Sequence, residues 1–399
     1  MRVAVTGYGA VTPLGMDAGS TWDAVVAGES GVRRIDRDWA DGLPVTIAGE
    51  VADSFSESLS VPEQRRMDRV EQLAMLAGRE AWAHAGSPEA DRDRVAVIVG
   101  TAIGGLRTTI EQQARLDESG PRRVSPHTVT MMMANGSAAW LSMAIGARAG
   151  ARTPVSACAS GSEALLMARE MILAGSADVV LAGGTEACVT GLTLASLAQT
   201  RALSRRNDDP AAASRPFDVG RDGFVLGEGA ALLVLESEEH ARARGATVHA
   251  YLEGAALTSD AYDIVAADTE NQARTMSLAL RSSGLAPSDI DFVHAHATST
   301  PLGDSNESKA IVSAIGPTAA TSTKSMVGHL LGAAGALGAM VTVRALHDGL
   351  LPATINVDEV DPEIEVDVVR TSRTGRFEAA MVNAFGFGGH NATLVFTRG

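Results

Sequence analysis

Apolar positions along this chain fall into two alternating rhythms. Short unbroken runs at Val3–Val5, Val95–Val99, Val179–Ala182 and Ala230–Leu235 read as buried strands, and the second half repeats them at His249–Glu253, Phe292–Ala295, Ala319–Ser322 and Ala380–Asn383. Between them, Glu71–Ala85, Glu163–Leu173, Glu238–Arg244, Asn271–Ser283, Ser305–Ala314 and Ala333–His347 space their apolar residues as helices do. Gly7-Tyr8-Gly9 reads as a turn closing the first strand, Gly100–Gly105 as a glycine-rich turn, Pro154–Ala157 as a short strand, and Gly183-Gly184 as another strand end. Strands alternating with helices predict an α/β protein whose parallel sheets are covered on both faces. In such folds chemistry gathers in the loops beyond the carboxyl ends of the strands.

Composition narrows the class. With 399 residues, 45% of them hydrophobic and well spread, the chain can bury large cores without disulfides, and disorder is excluded for most of it. The formal net charge of -15 repels nucleic acid and anionic membrane surfaces. Two cysteines, Cys158 and Cys188, make no disulfide framework. The longest nearly apolar stretch, near Ala138–Ala147, is far short of the ~20 residues of a membrane helix. The N-terminal segment has no signal-peptide core, so the expectation is a cytoplasmic protein.

Cys158 stands between a predicted strand and a predicted helix, among small residues in Ser156-Ala157-Cys158-Ala159-Ser160-Gly161. A thiol there faces unpaired N–H groups and the positive end of the helix, which favours the thiolate and nucleophilic attack. A buried core cysteine is the competing reading; Cys188, with nothing activating near it, is read as core. Of nine histidines, His296 and His329 stand out. His296 follows an apolar strand, and His329 lies among glycines and leucines five residues after Lys324, one of only two lysines. Burial, a helix start and a nearby positive charge keep such an imidazole neutral, with one N–H to offer a developing oxyanion. Taken singly, each could be a structural histidine. Zinc-ligand spacings are absent, as are a phosphate-binding loop and a full dinucleotide fingerprint. The loop Asn383-Ala384-Phe385-Gly386-Phe387-Gly388-Gly389-His390-Asn391 has the glycines to bring a backbone N–H against a reacting carbonyl.

Taken together, the S-A-C-A-S-G turn at Cys158, A-H-A-T-S-T-P at His296, T-K-S-x-x-G-H-x-x-G-A-A-G at Lys324 and His329, and N-A-F-G-F-G-G-H-N occur in an order that resembles the elongating β-ketoacyl-[acyl-carrier-protein] synthases. The resemblance covers essentially the whole chain and is strongest in look to actinobacterial stand-alone synthases. It implies the thiolase-like fold: two similar halves, here residues 1–247 and 248–399, in an α-β-α-β-α five-layer sandwich. It implies Cys158 as acyl-carrying nucleophile, His296 and His329 as donors to the enolate, and Lys324 supporting the His329 region. The N–H groups of Cys158 and Phe387 would form the oxyanion hole, and Thr298, Thr300, Phe385 and Phe387 would bind substrate. No cofactor and no metal are implied, because substrates arrive on the phosphopantetheine of acyl carrier protein.

The implied partners are that carrier protein and a second subunit, in a homodimer or in a heterodimer with a related chain-length subunit. Carrier proteins are acidic, so docking on this acidic chain needs a local basic patch. Arg65, Arg66 and Arg69 form one candidate, and Arg201, Arg205 and Arg206 another. Two positions depart from the family pattern: Ala297 where many relatives have Gly, and Gly338 where stand-alone fatty-acid synthases usually have a Glu that supports the lysine. Modular polyketide synthase domains commonly carry Gly there, so the pathway is open between fatty-acid and polyketide synthesis. A thiolase would need a second cysteine in the C-terminal loop, where His390 and Asn391 stand; a non-catalytic chain-length subunit would lack the nucleophile.

Overall fold

The structure, a computed structural model, describes residues 1–399. The first half holds strands β1 (Val3–Val11), β2 (Val95–Gly100), β3 (Gly150–Arg152), β4 (Val179–Glu186) and β5 (Gly229–Ser237). They lie in the order β3-β2-β4-β5-β1. β2 runs parallel to β3 and β4, and β5 runs antiparallel to β4 and β1. The second half repeats this plan with β6 (Ala250–Ser259), β7 (Phe292–His294), β8 (Ala319–Thr321), β9 (Ala379–Gly386) and β10 (His390–Arg398). Their order is β8-β7-β9-β10-β6, with the parallel and antiparallel pairs in matching places. The two halves of the sheet join where Ala4 and Val5 of β1 pair with Tyr251 and Ala250 of β6.

Helices cover the sheets in a matching pattern. α1 (Arg69–His84) packs outside the first sheet, while α3 (Thr269–Ser283) and α4 (Pro301–Ile315) pack outside the second. α2 (Ser160–Leu173) and α5 (Ala334–Asp348) fill the space between the two sheets, where the largest apolar cluster lies. α5 is buried on almost every face. Small residues allow this central layer: a methyl group on Gly161 of α2 would stand 2.7 Å from the Gly332 carbonyl and 3.0 Å from the Ala336 nitrogen. The result is the five-layer thiolase-like sandwich. No helix is long and apolar enough to cross a membrane.

Three local expectations fail for physical reasons. Gly7 and Gly9 do not turn the chain; β1 runs straight through them. Side chains at these positions would collide with the backbone of α1, near Ala81 and Ala85 for Gly7 and near Ala77 and Ala81 for Gly9. The glycines therefore mark a close approach of helix to strand. Gly183 and Gly184 likewise lie inside β4, pressed against Ala231 and Gly332. Pro154–Ala157 is not a strand, because the Ser156 N–H turns to the Ser160 hydroxyl at 2.9 Å, and β3 ends earlier, at Arg152.

Candidate active site

The central helices α2 and α5 both begin beyond the carboxyl ends of strands, β3 and β8, and their starts face one another. A single 3-10 turn, Ala157–Ala159, leads into α2. Ala157 holds the left-handed region at φ 51°, a strained conformation for a residue with a side chain. The Ser160 hydroxyl over-determines that turn: it accepts from Ser156 N and donates to the Ala157 carbonyl at 2.7 Å. Cys158 is thereby set at the tip, buried at 7% exposure.

The end of β9 comes against this tip. A methyl group on Gly386 would stand 2.5 Å from the Ser156 carbonyl and 3.1 Å from the Cys158 nitrogen, so only glycine lets the loop close in. The backbone N–H groups of Phe387 and of Cys158 itself both reach the sulfur. Two backbone donors thus lie near the sulfur; as an oxyanion hole they would turn to the carbonyl oxygen of an acyl group bound to it.

Electrostatics at the sulfur differ from the expectation. Burial, the largest influence, pushes the thiol up to about 12, against the Lys324 charge and the two N–H groups, which pull it down. A helix start alone does not hold a thiolate here, because the same small-residue packing that shapes the turn also excludes water. The resting side chain is a thiol.

His296 and His329 approach from the second half. Their ring centroids are 5.3 Å apart and nearly perpendicular, and the His296 ring also stands edge-on to Phe385 at 5.7 Å. Burial, then the Lys324 charge, holds both imidazoles far below the usual histidine range. They are neutral at physiological pH. The Nδ1 atom of each is buried without a protein partner. A buried imidazole with a free ring nitrogen is poised to meet a ligand.

Lys324 is buried, and burial brings its ammonium down to about 8, with Glu307, then Cys158 and Asp304, acting in the opposite sense. It opens a single turn of helix, Lys324–Val327, which ends at Gly328; His329 is then fixed by its N–H to the Val225 carbonyl at 2.7 Å. Thr298 and Thr300 flank Ser299, a buried residue in the left-handed region at φ 70°. That kink brings the two threonine hydroxyls to 3.1 Å from each other. Phe385 is buried in the core beside His296, whereas Phe387 is 45% exposed.

The arginine clusters divide. Arg65 and Arg66 are exposed on the short helix Val61–Arg66, and Arg201 and Arg205 are exposed as well. Arg69 does not belong to that surface. It is buried in a fork around Glu228, at 2.6–3.1 Å, with further bonds to Asp53 and to the Val51 carbonyl. It starts α1, whose inward face carries it into the core. Arg206 is half-buried and bonded to the Gly220 carbonyl at 2.7 Å, bracing its own loop.

Several residues that hold the site were not singled out from sequence. Glu307 of α4 accepts the N–H groups of His296 at 2.8 Å and Ala297 at 2.6 Å, and Asn383 bonds the same carboxylate at 3.1 Å. Asp304, one turn earlier, accepts from Ser299 N at 3.1 Å and Phe217 N at 2.9 Å. Glu186, at the end of β4, accepts from Ala102 N at 2.7 Å in the first half and Gly332 N at 3.1 Å in the second. Position is the one readable signal: Glu186 lies four residues beyond the predicted strand Val179–Ala182, whereas Asp304 and Glu307 lie nine and twelve beyond Phe292–Ala295 and carry no such signal.

Comparison with known proteins agrees with this geometry. The family model for the β-ketoacyl synthase N-terminal domain matches residues 1–241, and that for the C-terminal domain matches 249–358. The chain is 43% identical to 3-oxoacyl-[acyl-carrier-protein] synthase 2 of Mycobacterium bovis, over 99% of this chain and 97% of the relative. A β-ketoacyl synthase from Burkholderia phymatum superposes with a TM-score of 0.93 at 37% identity, covering 100% of this chain and 99% of that one. A ketosynthase solved in complex with its type II polyketide acyl-carrier protein, bound to the hexaketide, superposes at 0.91 with 30% identity, covering 100% and 99%. The likeness runs along the full length of these relatives, and the chain belongs to the β-ketoacyl synthase family.

Proposed function

We propose that the chain is a β-ketoacyl-[acyl-carrier-protein] synthase that lengthens an acyl chain by two carbons through decarboxylative Claisen condensation. The observation that carries this reading is the convergence on Cys158 of two backbone N–H donors, with two neutral, unpartnered imidazoles beside them. The Cys158 sulfur attacks the thioester carbonyl of an acyl carrier protein. The oxygen becomes an anion held by the N–H groups of Cys158 and Phe387, and the carrier thiol leaves with the proton. Malonyl-carrier protein then enters past Thr298, Thr300 and Phe387. Its carbon–carboxylate bond breaks, the electron pair passes to the thioester oxygen as an enolate, and CO2 departs. His296 and His329 donate hydrogen bonds to that oxygen. Being neutral, they offer a proton in a bond without giving it away, so the enolate keeps its nucleophilic carbon. That carbon attacks the acyl thioester on Cys158 and expels the sulfur as a thiolate, which takes a proton from solvent to return to the resting thiol. Burial keeps both histidines neutral, and the charge of Lys324 acts in the same sense. No metal or bound cofactor takes part in this scheme.

The exposed arginines Arg65, Arg66, Arg201 and Arg205 are the docking candidates for the acidic carrier protein. A second subunit fits the first half. β3 is the outermost strand of its sheet with one edge unpaired, and Val129, Met132, Met133 and Met143 are exposed in the helices before it. A partner strand at β3 covers both, whether supplied by a second copy or by a related chain-length subunit. Gly338, where stand-alone fatty-acid synthases usually have a Glu, weakens the housekeeping fatty-acid reading without selecting the partner. Purified protein, malonyl-carrier protein and primers of graded length decide the function, with products identified by mass spectrometry. A 3-ketoacyl product two carbons longer than its primer is expected, and intact malonyl-carrier protein with every primer contradicts the proposal. Activity that appears only when a second, related chain is added selects the heterodimer.

A further inference from the structure

We infer that His294 is a positioning residue for the turn that carries Lys324 and His329. The inference rests on the catalytic reading above and extends it to a residue with no part in the chemistry described. His294 ends β7 and is buried at 2% exposure. Its Nε2 lies 3.1 Å from the Thr323 hydroxyl. Thr323 is the origin of the Lys324 turn: its carbonyl accepts the N–H groups of Met326 at 2.9 Å and Val327 at 3.1 Å. No carboxylate sits within 4.0 Å of the lysine's ammonium in the way Glu363 sits against Lys309, although the Glu307 charge acts on it more strongly than any other. The bond from strand to turn is one of two side-chain holds on this backbone, the other being the Ser214 hydroxyl, which donates to the Lys324 carbonyl at 2.6 Å.

Gly338 makes room for this arrangement. It sits inside α5, where glycine costs roughly 1 kcal/mol relative to alanine. A methyl group there would stand 2.8 Å from Nδ1 and 3.0 Å from Cε1 of His294, and 3.3 Å from Val382. The imidazole occupies the direction a side chain at 338 would take. His294 and Gly338 are thus one device: ring on the strand, space on the helix. The absence of a carboxylate at 338 leaves no gap beside the lysine, because another side chain fills it from the opposite element.

The test compares release of labelled CO2 from malonyl-carrier protein with acylation of Cys158, in the full-length protein. His294→Ala and Thr323→Val, the latter nearly isosteric, should each lower kcat for CO2 release by about 10-fold, the low end for groups that orient another functional side chain. KM for malonyl-carrier protein and the rate of Cys158 acylation should hold within about 2-fold of the parent, and His294→Gln, which keeps a hydrogen bond to Thr323, should recover most of the loss. Gly338→Glu should be strongly impaired alone and improved when combined with His294→Ala, because the clash is removed. CO2 release at the parent rate in both His294→Ala and Thr323→Val overturns the inference, as does an equal loss of acylation and decarboxylation. His329→Ala is the reference: if it slows CO2 release while His294→Ala does not, only the positioning role fails; if it leaves release unchanged, the catalytic reading fails with it.

Discussion

At the scale of single residues, the site is a contest between burial and charge. Burial sets the Cys158 thiol high and both imidazoles low, and Lys324 acts on all three. The lysine's own ammonium is brought down to about 8, so its help to the sulfur is present below that pH and fades above it. Alkylation of Cys158 by iodoacetamide should accordingly be slow at pH 7 and still rising at pH 9. In Lys324→Met it should be slower than in the parent below pH 8, and the two should converge above it. A Lys324→Met protein alkylated as fast as the parent at pH 7 would remove the lysine from the electrostatics of the sulfur. The histidines act on a different step. Loss of one oxyanion donor costs about 2.7–4 kcal/mol of barrier, so His296→Ala or His329→Ala should each slow CO2 release by roughly 10²–10³-fold. Release at the parent rate in either variant would take that ring out of the mechanism.

At the scale of elements, buried acids hold loops that no regular structure holds. The Glu307 carboxylate, reaching from α4, receives two consecutive N–H groups of the His296 loop. Glu307→Ala leaves those donors unsatisfied in a dry site, at about 1–3 kcal/mol each. It should lower the melting temperature and slow CO2 release; an unchanged release rate would mean that the loop holds His296 without the brace. Packing of helix on strand is equally specific. Gly9→Ala drives a methyl group into the α1 backbone at Ala77 and Ala81. The expected loss is 1–3 kcal/mol or more, since overpacking has nowhere to relax between two backbones, and denaturant unfolding measures it. This is also where the sequence was least transparent. Runs of apolar residues located the strands and central helices to within a few residues, because burial on both faces writes itself into composition. Gly7 and Gly9 read as a turn because a glycine placed for conformational freedom and one placed for lack of volume look alike on a single line. Glu186, Asp304 and Glu307 read as ordinary helix and strand polars, since their partners are backbone groups from segments distant in sequence. Arg69 read as surface for the same reason: Glu228, its partner, lies 159 positions away. His294 was the nearest to legible, two residues before His296 on an apolar strand.

At the scale of the whole molecule, duplication explains why the chemistry needs both halves. Each half supplies one central helix, and the functional turns precede those helices at matching places in the topology, Cys158 before α2 and His329 before α5. Acids buried in both halves prefer their protons. Burial raises Glu186 and Asp304 to about 7 and Glu71 to about 8. Between the ordinary carboxylate range and those values the folded state binds protons that the unfolded chain has released, so these three acids contribute stability that falls as pH climbs from about 5 to 8, while buried neutral histidines such as His249, His294, His296 and His329 contribute stability that rises as pH climbs through the ordinary histidine range. Glu71→Gln removes one of the falling contributions, so its melting temperature should drop less, or climb more, from pH 6 to pH 8 than the parent's; an identical pH dependence in both would contradict the burial argument. The account as a whole turns on the sulfur at the tip of α2. Its most direct test is the intact mass of the protein after incubation with an acyl carrier protein bearing a saturated chain. The parent should gain the mass of one acyl group, and Cys158→Ala none. The same gain in Cys158→Ala would show that the acyl chain is held elsewhere.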